Sequence, residues 1–111
     1  MEISVTNYKR CEIVKAVGRV DSSTSSILLT TFNSIIDKKR YRIVFNMSDV
    51  NFISSAGLRV LITTQKTCKR YNRGELVLCN VPENIMAALD LSGFSVLFRI
   101  FNTDLEAVGN F

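Results

Sequence analysis

The sequence has no histidine. That absence removes Ser-His-Asp and Cys-His catalysis, and with them the usual metal sites. Cysteine is scarce as well. Cys11, Cys68 and Cys79 are odd in number, widely spaced and never paired as Cys-x-x-Cys, which argues against a disulfide framework and against zinc. Each has an apolar neighbour and reads as a small buried hydrophobe. The glycines stand singly, in no Walker or dinucleotide pattern. No apolar run approaches the roughly 18 residues of a membrane span, and the N-terminus alternates polar and apolar residues, unlike a signal peptide. A cytoplasmic chain off the membrane is expected, with no metal and no cofactor.

What remains is an ordinary globular composition. With 111 residues, 47% of them hydrophobic and 22% charged, the chain is expected to form one domain over residues 1–111 around one core. The formal charge is +4, from 14 basic and 10 acidic residues. Cations cluster in Lys38-Lys39-Arg40-Tyr41-Arg42 and at Lys66, Lys69, Arg70 and Arg73. Such clusters read either as a patch for nucleic acid or an acidic partner, or as solvated helix ends whose cations complement the helix dipole. Aromatic residues are not interleaved on an evident stacking platform, so direct nucleic-acid binding is not expected.

Hydrophobic periodicity gives the element order. Ile3 and Val5 alternate with Ser4 and Thr6, Tyr8-Lys9-Arg10 breaks the pattern, and Ile13–Val20 has the density of a mostly buried strand, so the chain opens on a hairpin. Asp21-Ser22-Ser23-Thr24-Ser25-Ser26 is rich in capping residues and precedes an apolar helical face at Ile27, Leu28, Phe32, Ile35 and Ile36. Asp21 is placed at or next to this helix's N-cap, and the helix ends near Asp37-Lys38. Arg42–Met47 reads as a central strand covered on both faces, followed by a Ser48–Asn51 connection. Leu58, Leu61, Ile62, Gln65 and Cys68 then share one stripe of a helix running from about Ser55 to about Tyr71. Gly74 stops it, Glu75–Cys79 is a strand, and Pro82 opens a third helix at its first turn. That helix ends at Ser92-Gly93. A last strand over Val96–Phe101 and a short helix capped at Thr103 or Asp104 complete the chain. The order β-β-α-β-α-β-α-β-α predicts an α/β fold: a mixed, mostly parallel sheet with an N-terminal antiparallel hairpin and about four helices.

The chemistry converges on one junction, Ser54-Ser55-Ala56-Gly57-Leu58, where a strand pattern gives way to a helix pattern. Backbone N–H groups at a helix start lack partners within the helix, and the dipole favours negative charge there. A serine in that place caps the helix, binds an anion or carries a covalent phosphate. As a catalytic nucleophile it would need a base; histidine is absent and no lysine lies near in sequence. Asp49, just past the central strand, resembles a receiver aspartate, but no acidic pair follows the first parallel strand. An enzyme is not expected.

These residues together resemble the STAS-domain family, and within it the bacterial anti-sigma factor antagonists. Gly18-Arg19-Val20-Asp21 is similar to the family's strand-ending segment with its acidic residue, Val44–Ile53 to its central strand, and Ser54-Ser55-Ala56-Gly57-Leu58 to its Asp-Ser-Ser-Gly-Leu or Asp-Ser-Ala-Gly-Leu signature. Gly74–Leu78 and Leu89–Phe94 resemble its later strand and third helix. The resemblance implies a partner switch. An anti-sigma factor serine kinase phosphorylates the serine after the signature's acidic residue, a metal-dependent serine phosphatase reverses this, and only the unphosphorylated antagonist holds the kinase and frees the sigma factor. By position the phosphorylated residue is Ser55, with Ser54 as competitor, because Gly57-Leu58 fixes the register. The implied partner surface comprises Asp21, Ser54, Ser55, Ala56, Gly57 and Arg59, with Thr63 on its flank. One departure stands out: Ser54 occupies the signature's acidic position. Two other readings stay open: a STAS module that binds a protein partner constitutively, and a ligand-binding STAS domain for nucleotide or lipid, which no phosphate loop or aromatic cage supports.

Overall fold

Strands β1 (Glu2–Asn7) and β2 (Glu12–Val20) form the expected antiparallel hairpin, with Val5 opposite Val14 and Glu2 opposite Val17. This computed structural model describes residues 1–111 throughout. The hairpin turn is held from outside. The Arg40 guanidinium donates to the carbonyls of Tyr8, Lys9 and Cys11 and pairs with the buried Glu12 carboxylate at 3.2 Å. Beyond the hairpin, helix α1 (Ser25–Asp37) leads to β3 (Arg42–Ile53), α2 (Ser55–Cys68) to β4 (Glu75–Cys79), and α3 (Glu83–Ser92) to β5 (Ile100–Phe101); α4 (Asp104–Gly109) closes the order.

The five strands lie in the order β1-β2-β3-β4-β5, with β2 through β5 mutually parallel. Each crossover therefore steps in the same direction across the sheet. Crossovers of one hand that all step one way put their helices on one face. The main core reflects this: Leu28, Phe32 and Ile35 of α1, Leu58 and Leu61 of α2, and Ile85 and Leu89 of α3 pack with Val14, Phe45, Met47 and Leu76 of the sheet. The opposite face has only α4, whose Ala107 packs with Ile13, Val44, Val77 and Cys79. Near β2's C-terminal end this second face is open, and Val17 and Arg19 are exposed.

Three elements differ from the sequence expectation. The Ser48–Asn51 connection is strand, so β3 runs through to Ile53. Its pairing with β2 slips by one residue between Lys15 and Val17 and again between Gly18 and Arg19. At each slip β3 carries the extra residue, a bulge that bends a strand and interrupts its alternation. The strand expected over Val96–Phe101 is only Ile100–Phe101, preceded by a 3-10 turn at Phe94–Leu97. Helix α2 ends at Cys68, before the expected Tyr71. Gly74 then passes so close to α2 that a Cβ there would lie 2.0 Å from the Cys68 carbonyl oxygen.

Candidate functional site

Helix α2 begins at the C-terminal ends of the central strands, and its first turn is built by Ser54. The Ser54 backbone is extended (φ −87°, ψ 173°), its Oγ accepts from the Gly57 N–H at 3.2 Å, and its carbonyl accepts from the Leu58 N–H at 2.9 Å. This is N-cap geometry. The Ser54 N–H in turn donates to the Val20 carbonyl at 2.8 Å, which ties the start of α2 to the residue before Asp21. Ser54 is half-buried. Ser55, next in the chain, is exposed at the first helical position, and its hydroxyl has no hydrogen-bond partner.

Gly57 explains how the helix start fits against the sheet. A Cβ at this position would sit 2.7 Å from Cγ1 of both Ile53 and Val20 and 3.2 Å from the Val20 carbonyl oxygen. Only a hydrogen fits, so the sheet and α2 approach closely here. Gly57, which the resemblance places on the partner surface, is buried here and faces the sheet. Ala56 is half-buried. Ser55, Arg59 and Thr63 are exposed and spaced four residues apart, so they form one solvent-facing line along α2.

Asp21 lies three residues ahead of the α1 N-cap, which is Thr24. Its carboxylate nonetheless performs a capping role for the lead-in turn. Oδ1 accepts from the Ser23 N–H at 3.0 Å, the Ser23 hydroxyl at 2.6 Å and the Thr24 N–H at 3.2 Å. The hydrogen bond from the Ser23 hydroxyl, with the other Ser23 and Thr24 donors, holds the Asp21 carboxyl down at about 2. Asp21 is therefore a fixed negative charge at neutral pH.

Two residues that sequence reasoning did not single out belong to this end of the sheet. The Arg19 guanidinium stands 4.2 Å over the Phe52 ring and 3.7 Å from the Asp21 carboxylate. Phe52 is 36% exposed. Period-2 alternation would have put Phe52 opposite in facing to the buried Ile53, but only with Asn51–Ile53 read as strand. Asp49 is likewise within β3, exposed and paired with Lys15 at 3.2 Å, and does not stand past a strand end.

No group of three or more His, Cys, Asp or Glu side chains is arranged to hold a metal ion, and no helix is long and apolar enough to cross a membrane. The three cysteines are free and buried, and burial pushes the Cys68 thiol up to about 11 and Cys79 to about 12.

The whole architecture recurs in solved proteins. An anti-sigma factor antagonist from Thermotoga maritima superposes with a TM-score of 0.90 at 19% identity, covering 97% of this chain and 92% of the other. SpoIIAA, the Bacillus cell-fate determinant, superposes in its unphosphorylated form at 0.84 and 15% identity (98% and 95% covered), and in its phosphorylated form at 0.77 and 15% (98% of each). In sequence, BtrV of Bordetella bronchiseptica, by name an anti-sigma factor antagonist, is 32% identical over 94 residues, or 85% of this chain and 80% of BtrV. The STAS domain model itself matches residues 2–107. With that match and that relative, the chain belongs to the STAS-domain family, among homologues named as anti-sigma factor antagonists.

Proposed function

We propose that this chain is an anti-sigma factor antagonist of a partner-switching circuit in the cytoplasm, a binding protein and not an enzyme. Its unphosphorylated form binds an anti-sigma factor that is a serine kinase, and so frees a sigma factor. The kinase phosphorylates Ser55, the complex parts, and a metal-dependent serine phosphatase restores the binding form. The observation that carries this reading is the division of labour between the two serines: Ser54 is engaged as the cap, and Ser55 is exposed beside it with a free hydroxyl. The existence of SpoIIAA in phosphorylated and unphosphorylated forms supports the same cycle.

The physical account is electrostatic. A phosphate adds about −1.5 to −2 charge. Free N–H groups and the dipole at the start of α2 accommodate it with little change of fold. The partner's face does not: an added dianion, pressed against a surface matched to a neutral hydroxyl, costs several kcal/mol of binding. Ala56, Arg59 and Thr63 complete the proposed contact surface.

The test is incubation with candidate serine-kinase anti-sigma factors and ATP, followed by intact mass and site mapping. One phosphate on Ser55 is expected. Ser55→Ala should bind the kinase and stay bound in ATP, whereas Ser55→Asp should lose binding by tenfold or more with an unchanged melting curve. A phosphate on Ser54 would keep the cycle and move the residue. Stable binding with no phosphate from any kinase would replace the switch with a constitutive interaction module, the reading that Ser54 in the signature's acidic position favours.

A further inference from the structure

The charge of this molecule is strongly polarised, and the positive end is not the end that carries Ser55. Two clefts open at the N-terminal ends of the parallel strands. One, of about 440 Å³, is lined by Arg42, Lys69, Arg73 and Arg99 among others. The second, of about 250 Å³, is lined by Lys9, Arg10, Lys39 and Arg40, and it shares Arg42 with the first. Eight of the 14 Lys and Arg residues therefore stand at this pole, against Glu12 and Glu75 of the 10 acidic residues. The pole carries a formal +6, and the rest of the chain −2.

Ordinary structural duties do not use this charge up. Arg40 is engaged with Glu12 and the hairpin carbonyls, Arg99 with Glu75 and Asn110, and Arg10 donates to the Phe111 carbonyl without meeting a carboxylate side chain. The C-terminal ends of α1, α2 and the short α4 also lie here, and three helix dipoles supply roughly one and a half further negative charges in all. About four to five positive charges remain uncompensated.

The backbone adds a second, independent observation. Lys39 and Arg73, one in each cleft, adopt left-handed conformations with φ of 63° and 61°. Lys39 directly follows the C-cap of α1, and Arg73 stands in the turn between α2 and β4; at both, glycine is the residue that relieves such strain. A cation stands at both positions instead.

We propose that this pole is a docking surface for an acidic segment of a protein partner, separate from the Ser55 surface. The Arg42 bridge makes the two clefts continuous, and the molecule measures 25 × 23 Å across its shorter axes. An extended chain advances about 3.4 Å per residue, so a run of about seven residues rich in Glu and Asp spans the pole. Carboxylates match planar guanidinium forks in geometry. Nucleic acid fits less well. The two tyrosines at the centre, Tyr41 and Tyr71, are stacked on each other at 3.6 Å and 1°. Their facing surfaces are occupied, and no slot between aromatic faces is left for a base.

The test uses the full chain, a fluorescein-labelled hepta-glutamate peptide and anisotropy at low salt. The peptide is expected to bind saturably and to weaken steeply as salt is raised. The double variant Lys39→Gly, Arg73→Gly removes one cation from each cleft and relieves two left-handed residues, so it should melt at the same temperature or higher. It should nonetheless bind the peptide about tenfold more weakly. Unchanged affinity in the well-folded double variant, or no binding at low salt, overturns the proposal. A 12-nucleotide single-stranded oligo-dT that binds tenfold tighter than the peptide also overturns it, and assigns the pole to nucleic acid.

Discussion

Adjacent identical side chains at Ser54 and Ser55 have different physical lives, and the difference is one position of helix geometry. The cap residue's oxygen accepts from an N–H three residues on, while the next residue's side chain points away from the turn. Serine and aspartate are nearly equivalent caps, so Ser54 in the signature's acidic position keeps the start of α2 intact while giving up one negative charge beside it. Ser54→Ala should then destabilise the fold by about 1 kcal/mol. Ser54→Asp should preserve it or add about 0.5 kcal/mol through the dipole. Urea unfolding of the three proteins decides this; a Ser54→Ala midpoint equal to the parent's would mean the cap contributes nothing. The glycine of the signature was legible in the sequence. The reason for the glycine was not, because the 2.7 Å approach to Val20 and Ile53 joins residues far apart in sequence.

At the scale of elements, the sequence reading succeeded where periodicity was regular and failed where a side chain or an extra residue replaced a backbone partner. The ladder beside β4 shows how. Leu78 and Asn80 donate their N–H groups to Arg99 and Phe101 on the β5 side. Leu76 faces the same way, but β5 has not yet begun beside it. Gln65 of α2 takes the missing strand's place: its Oε1 accepts from the Leu76 N–H at 2.7 Å, and its Nε2 donates to the carbonyls of Leu76 at 3.0 Å and Leu97 at 2.8 Å. The apolar run Val96–Phe101 has the pattern of a strand, yet its first part turns in 3-10 geometry and sends the Leu97 carbonyl to this amide. Gln65 itself read only as one member of a helical stripe, since no periodic pattern distinguishes a buried amide from a filler. Gln65→Leu should leave the Leu76 N–H and carbonyl buried and unpaired, at a cost of about 2–4 kcal/mol. Equilibrium unfolding measures it, and a loss under 1 kcal/mol would mean water or backbone movement supplies the missing bonds. In β3 the failure has the other cause. Two extra residues break the alternation into a buried-exposed-exposed pattern after Met47, and a period-2 search stops there.

Across the whole molecule, one sheet separates two unequal cores, and a buried thiol reports on each. Cys68 lies in the three-helix core and Cys79 in the smaller one under α4. Both are fully buried, and the absence of any pairing pattern made that much legible from sequence; which side of the sheet each occupies depended on the crossovers. Burial excludes the thiolate, so both thiols stay protonated in the fold, Cys68 up to about 11 and Cys79 up to about 12, against about 9 when exposed. Between about pH 9 and 11 the unfolded chain has released these two protons and the folded chain has kept them, so the unfolded state binds fewer protons and stability falls as pH rises. Each thiol contributes a slope of about 1.4 kcal/mol per pH unit in that window, and nothing below it. Cys79→Ala should therefore be less stable than the parent at pH 8, because it leaves a small void, yet lose stability with a shallower slope above pH 9. Denaturant unfolding at pH 8, 9.5 and 10.5 compares the two slopes. Parallel curves for parent and variant would show that the core under α4 opens to hydroxide before the molecule unfolds, and that the six-residue helix covering it is not part of the same cooperative unit.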